Sequence, residues 1–109
     1  MSTELPPDLT IEPIWVVEGA YTPDALERRR PVRAEHLRRS VELRDAGVII
    51  ETGAFADGSG SLMLVHAPDE EAALALFRGD VYVRSGVWTE LRARAFGRLV
   101  RASEVHGPD

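Results

Sequence analysis

Four runs of β-branched, aliphatic and aromatic residues punctuate the chain: IWVV within Ile11–Tyr21, VIIETGAF (Val48–Phe55), SLMLVHA (Ser61–Ala67) and the longer Val87–Val100. Such runs predict strands. In the last of them Leu91, Ala93 and Ala95 alternate with Arg92, Arg94 and Phe96, a spacing that predicts one buried face. Between the first two lies Arg33–Gly47, RAEHLRRSVELRDAG, which reads as an amphipathic helix from about Val32 to Ala46 with Gly47 just past its end. At roughly 100° per residue, Ala34, Leu37 and Val41 share a flank expected to face a core, with Glu35, Arg38, Glu42 and Asp45 facing water. The arc between Leu43 and that flank carries Arg33, His36, Ser40 and Arg44. That arc either borders a pocket or is half-exposed.

Turn-forming residues separate these segments. Thr22-Pro23-Asp24 suits a turn or helix start, and Pro31 ends a short helical stretch over Ala25–Arg30. Asp57-Gly58-Ser59-Gly60 predicts a hairpin turn. Pro68-Asp69-Glu70-Glu71 opens a second helix with its acidic groups at the positive end, Ala73, Leu76 and Phe77 sharing its inner face. Arg78-Gly79-Asp80 ends that helix, and Val81–Gly86 reads as a linking segment. The order strand, helix, strand, strand, helix, strand predicts an α+β, ferredoxin-like βαββαβ split-βαβ sandwich: a four-stranded antiparallel sheet with two helices on one face. The domain is expected over residues 11–101, between a lead-in of residues 1–10 and a polar tail of residues 102–109. Apolar residues fall on both sheet faces, so the uncovered face calls for a partner, and a homodimer is the economical one.

Composition narrows the function. A chain of 109 residues is one domain with a real core. Its net charge of −5 argues against nucleic-acid binding by phosphate neutralisation, and Asp24, Glu27 and Glu35 offset the run Arg28-Arg29-Arg30. The absence of cysteine excludes disulfides, thiolate metal sites and thiol nucleophiles. The apolar runs are far shorter than the roughly 20 residues of a membrane span, and MSTELPPDLT has neither a basic nor an apolar leader region. A cytoplasmic protein without membrane partners is the expectation. His36, His66 and His106 share no metal-ligand spacing, so no metal is expected. Gly58-Ser59-Gly60 lacks the helix and lysine of a phosphate loop, and no cofactor is expected.

The stretches WVVEGAYTPDALERRRPVRAEHL, AGVIIETGAF and DEEAALALFRGDVYVRSGVW resemble the YCII-related (YciI-like) family. The resemblance is carried by Arg33-Ala34-Glu35-His36-Leu37, Gly47, Gly53, Asp80-Val81-Tyr82 and Gly86-Val87, in the family's order, across Ile14 to Val100. It implies a dimeric ferredoxin-like domain with a His–Asp active site, in a family where one member removes chloride from a chlorinated hydroxyquinol. Two positions depart from the pattern: Tyr21 stands where the family often has Asp, and Val81 where it usually has Pro.

His36 is the leading catalytic candidate, because imidazole moves protons at neutral pH. Asp80 would orient its tautomer, or else simply cap the segment around Tyr82. Arg33, one turn before His36, could hold an anion by a forked contact or pair with a nearby carboxylate. Tyr82 could supply a ring wall and a hydroxyl. Ser40 has no paired base and fits a substrate contact rather than a nucleophile. The resulting expectation is a cofactor-independent acid/base enzyme of dehydrohalogenase, isomerase or tautomerase type, acting on a small oxygenated metabolite. The alternative, favoured by Tyr21 if the missing Asp is essential, is a non-catalytic domain that binds a small ligand or a protein.

Overall fold

Alternating β-branched and aliphatic residues draw Leu9–Tyr21 into a long strand, β1, in the computed structural model, which describes residues 4–105. After it come α1 (Ala25–Arg28), α2 (Arg33–Asp45), β2 (Ile49–Ala54), β3 (Gly60–Val65), α3 (Glu70–Arg78), α4 (Val81–Arg84) and β4 (Trp88–Arg101). The strands form one sheet in the order β2-β3-β1-β4, with every neighbouring pair antiparallel. β1 and β2 therefore run parallel on either side of β3, with α2 in the crossover between them, which is the split-βαβ plan. His106 and the end of the polar tail lie outside the described residues.

One hydrophobic cluster joins Val17 of β1, Ile49 of β2, Met63 and Val65 of β3, Ala73 and Phe77 of α3, Tyr82 of α4, and Val87 and Trp88. Leu43 of α2 packs against it, so the helices cover one face of the sheet. The other face carries cross-strand charge pairs, Arg94 to Glu18 at 3.0 Å and Arg98 to Glu12 at 3.1 Å. β3 ends at Val65 opposite Trp15, so Leu9–Ile14 pair only with β4, as a two-stranded ribbon projecting past the helices. Leu91 and Ala93 pack on the core as the alternation requires, but Ala95 lies where β3 ends and is exposed.

The helix ends follow local chemistry. Gly47 takes φ 77°, the left-handed conformation open to a residue without Cβ. There the Val48 N–H donates to Leu43 O at 2.9 Å and the Gly47 N–H to Arg44 O at 3.0 Å, closing α2 in a Schellman motif. Asp69 caps α3 by accepting from the Ala72 N–H at 2.8 Å. Thr22-Pro23 takes the turn, one of its two expected roles, with the Ala25 N–H on Thr22 O at 3.0 Å, and α1 starts at Ala25 as expected but ends at Arg28 rather than Arg30. One segment differs in kind. Val81–Gly86 is no plain linker: Asp80 accepts from the Tyr82 N–H at 2.9 Å and so starts the single helical turn α4.

The inner face of α2 is the larger correction. Ala34, Leu37 and Val41 were the flank expected to meet the core; they are exposed, Leu37 at 47% and Val41 at 56%. The face turned inward holds Val32, His36, Arg39, Ser40 and Leu43. A polar face can be buried because each of its polar groups finds a partner there: His36 and Arg39 meet Asp80, and Ser40 Oγ donates to His36 O at 3.0 Å.

Candidate functional site

The first component of the site is a carboxylate with two tasks. Asp80 is 1% exposed, and its Oδ1 lies 2.9 Å from His36 Nδ1 and 2.9 Å from the Tyr82 backbone nitrogen. Sequence reading treated histidine pairing and helix capping as competing roles for Asp80; one oxygen makes both contacts. Oδ2 accepts from Arg39 Nη1 at 3.4 Å, and Arg39 Nη2 also donates to Leu76 O. Burial pushes the Asp80 carboxyl up, but the hydrogen bond from His36, the Tyr82 N–H and the charges of His36 and Arg39 outweigh it and hold the carboxyl below its ordinary value. An ionised carboxylate only accepts, so the proton between the two groups sits on Nδ1 and leaves Nε2 with the free lone pair when the ring is neutral.

Aromatic rings fix the imidazole from its other sides. It stacks on Tyr82 with ring centroids 3.7 Å apart and 11° between planes, and it meets the edge of Trp88 at 5.2 Å. Trp88 and Leu91 are three residues apart and would point to opposite faces of a regular strand. A bulge, where the β1–β4 register shifts between Ala20 and Tyr21, lets both pack on the same core. Gly19 makes room for the indole, since a Cβ there would stand 2.6 Å from Trp88 Nε1.

In front of the imidazole is a cleft of about 230 Å³, lined by Tyr21, Arg29, Arg33, His36, Ser40 and Tyr82 together with Leu37, Ser61 and Thr52–Ala54 of β2. No buried side-chain nitrogen or oxygen among the described residues lacks a partner, and Nε2 makes no hydrogen bond to them, so it opens to this cleft. Of the residues singled out from sequence, His36, Arg33, Tyr82 and Ser40 line the cleft, while Asp80 stands behind His36. Arg33 forms no ion pair among the described residues, so the carboxylate partner considered for it is not there. His66, which ends the third predicted strand, is not among the lining residues. The Tyr82 hydroxyl is held neutral to higher pH than usual, first by burial and then by the neighbouring Tyr21, against the pull of Arg29 and Arg33.

Sequence reading missed three contributors. Tyr21, noted only as a departure from Asp, places its hydroxyl 3.1 Å from Ser61 Oγ and 3.4 Å from Arg29 Nη1. Trp88 donates its indole N–H to Ser61 Oγ at 3.2 Å. Arg39 braces Asp80 from behind. What brings Tyr21 beside Ser61 is the register of β1 on β3, which is not written in either segment.

Comparison with known proteins places these features in a family. Two curated relatives, the Protein YciI of Escherichia coli O6:H1 and that of Shigella flexneri, are each 28% identical over 96 residues, covering 79% of this chain and 98% of theirs. Among solved structures, the 5-chloro-2-hydroxyhydroquinone dehydrochlorinase TftG from Burkholderia phenoliruptrix AC1100, in complex with 2,5-dihydroxybenzoquinone, superposes with a TM-score of 0.62 over 74% of this chain and 90% of its own. At 17% identity that likeness is one of fold. The YCII-related domain profile matches residues 14–97, a span holding β2, β3, helices α1 to α4 and the whole cleft, and by this match the chain belongs to the YCII-related family.

Proposed function

We propose that the chain is a cofactor-independent acid/base enzyme whose base is Nε2 of His36, acting on a small, oxygenated, ring-shaped metabolite. The carrying observation is the 2.9 Å contact between His36 Nδ1 and Asp80 beside an open cleft. Asp80 orients the ring and stabilises the imidazolium that forms when Nε2 takes a proton. A cavity of about 150 Å³ holds one benzene ring, so a cleft of about 230 Å³ suits a single substituted ring. Arg33 and Tyr82 are the substrate contacts in this reading, with Ser40 at the cleft wall. The fold-related dehydrochlorinase carries a dihydroxybenzoquinone, which supports trying oxygenated rings first. Proton transfer of this kind serves dehydrohalogenation, isomerisation and tautomerisation alike.

The test has two arms. Long-range nitrogen–proton NMR of the histidine rings should place the neutral-state proton of His36 on Nδ1, a preference lost in Asp80→Asn. 5-Chloro-2-hydroxyhydroquinone and 2,5-dihydroxybenzoquinone should perturb resonances of the cleft, and turnover of any accepted ring should fall at least a hundredfold in His36→Gln. A His36 proton on Nε2, with neither ring bound, would sink the acid/base reading and leave the non-catalytic domain in its place.

A specific observation also favours self-association. Ile11 and Leu99, cross-strand partners on the projecting ribbon, are 46% and 62% exposed, and Phe96 nearby is 47% exposed. A homodimer that covers this end, rather than only the uncovered sheet face to which the sequence pointed, would bury these side chains. Sedimentation equilibrium should give about twice the 12.0 kDa chain mass, and a mass that stays at one chain at micromolar concentration rejects the dimer.

A further inference from the structure

We infer that Tyr21 is the oxyanion donor of the cleft, set in place by Ser61 and Arg29, and that the site therefore selects rings that carry or develop negative charge on oxygen. The inference rests on the reading of His36 as base and adds the group on which the displaced charge settles.

The argument follows the protons. The Trp88 indole can only donate, and its N–H goes to Ser61 Oγ at 3.2 Å. Ser61 is 5% exposed, and the Tyr21 oxygen at 3.1 Å is the acceptor within reach of its own proton among the described residues. Were Tyr21 to donate to Ser61 instead, the buried Ser61 proton would be left without an acceptor. Arg29 also only donates, and its Nη1 lies 3.4 Å from the same phenol oxygen, with the guanidinium carbon 6.0 Å from the ring centroid. The Tyr21 oxygen thus faces two donors, and no protein acceptor among the described residues takes its proton. Tyr21 lines the cleft with His36, so that proton is offered to a ligand.

The electrostatics point the same way. Arg29 and Arg33 both line the cleft, neither forms an ion pair with a carboxylate among the described residues, and no lining residue is acidic. In a chain of net charge −5 this is a local reversal of sign. The step it serves balances without a co-reactant. Nε2 of His36 takes a proton from the carbon next to a ring carbonyl. The C–H pair becomes the new C=C bond and the C=O π pair moves onto oxygen, where the Tyr21 O–H meets it. Where the ring carries a further C=C bond beyond that carbon, the pair on oxygen re-forms C=O and the double bonds shift one place along the ring. The imidazolium then returns its proton to the far carbon of that system, completing a tautomerisation. Tyr21 is thus a second catalytic residue beside the base His36, and Ser61 and Arg29 are positioning residues.

The test uses ring-substituted phenols of graded acidity as stable mimics of the enolate, with affinity measured by NMR titration of the full chain. Affinity should rise with the ionised fraction of the phenol. In Tyr21→Phe the ionised members should lose roughly tenfold to a hundredfold, flattening the dependence on acidity while neutral members bind as before. Ser61→Ala and Arg29→Gln should flatten it partly. A uniform loss across the series in Tyr21→Phe means a packing role and overturns the inference, as does a wild type that does not favour the ionised phenols. The measurement needs no turnover. A wrong assignment of the base is seen separately, as a His36 proton on Nε2 with the phenol series unchanged.

Discussion

The imidazole of His36 lies flat on the ring of Tyr82, 3.7 Å between centroids, and the carboxylate that holds its Nδ1 also accepts from the Tyr82 N–H. Ring, backbone and carboxylate are therefore one unit, and the histidine has one orientation. Replacing Asp80 with Ala leaves the buried Nδ1–H and the Tyr82 N–H without acceptors and should cost about 3–5 kcal/mol. Asp80→Asn keeps an oxygen for the cap and should cost roughly 1–2 kcal/mol. Urea denaturation checks both, with the midpoint moving at unchanged slope.

Acid should act through the same carboxylate. Its folded value is held below the ordinary one by His36, the Tyr82 N–H and Arg39, despite the opposing effect of burial. The stabilisation it contributes is therefore complete above the unfolded carboxyl value, about pH 3.9, and is lost as pH falls through the folded value. Stability measured from neutral pH downward should decline less steeply in Asp80→Asn than in the wild type.

At alkaline pH the sign reverses for Tyr82. Burial raises its phenol in the folded state, so its contribution to stability is present below about pH 10 and lost as pH rises through the folded value. Of the chain's two tyrosines, Tyr82 should ionise above the usual range in an ultraviolet titration. Tyr82→Phe should remove that component and reduce the alkaline loss of stability.

Helix α2 offers a contrast between two apolar residues. Leu43 packs against the core cluster, and Leu43→Ala should cost about 2 kcal/mol. Val41 is 56% exposed, and Val41→Ser should change monomer stability by no more than about 0.5 kcal/mol. Equal costs would mean that the buried face of α2 is not the one described.

Gly19→Ala tests the seating of Trp88. The added methyl would come within 2.7 Å of the indole, which must shift, and overpacking of this kind costs about 1–3 kcal/mol. The tryptophan emission should change with it, and Ser61 should lose its indole donor.

Much of the fold was legible because strands and turns declare themselves locally: the period-two runs, Asp57-Gly58 and Gly47 all fall where the sequence places them. The inner face of α2 was not, because hydrophobicity registers what a side chain avoids and says nothing of what it will pair with. His36 and Arg39 turn inward toward Asp80, far along the chain, Ser40 turns inward onto the His36 carbonyl, and Leu37 and Val41 are left outside. Tyr21 was read as a missing Asp because a motif compares identities. Its neighbours Ser61 and Trp88 arrive through strand register and a bulge, which depend on three segments at once.

The pairing of β1 with β4 sets the order in which all this can be assembled. The register from Leu9↔Arg101 to Tyr21↔Trp88 joins the earliest described strand to the latest. During synthesis, α2 and the β2–β3 hairpin can form as they emerge, but β1 waits with one edge open until β4 is made. Long-range closure of this kind slows folding. Trp88 stands at the start of that last strand, so the imidazole of His36 gains its second aromatic wall only in the final step. A nascent chain halted before β4 should carry His36 and Asp80 yet expose the β1 edge, a surface for chaperones or for aggregation.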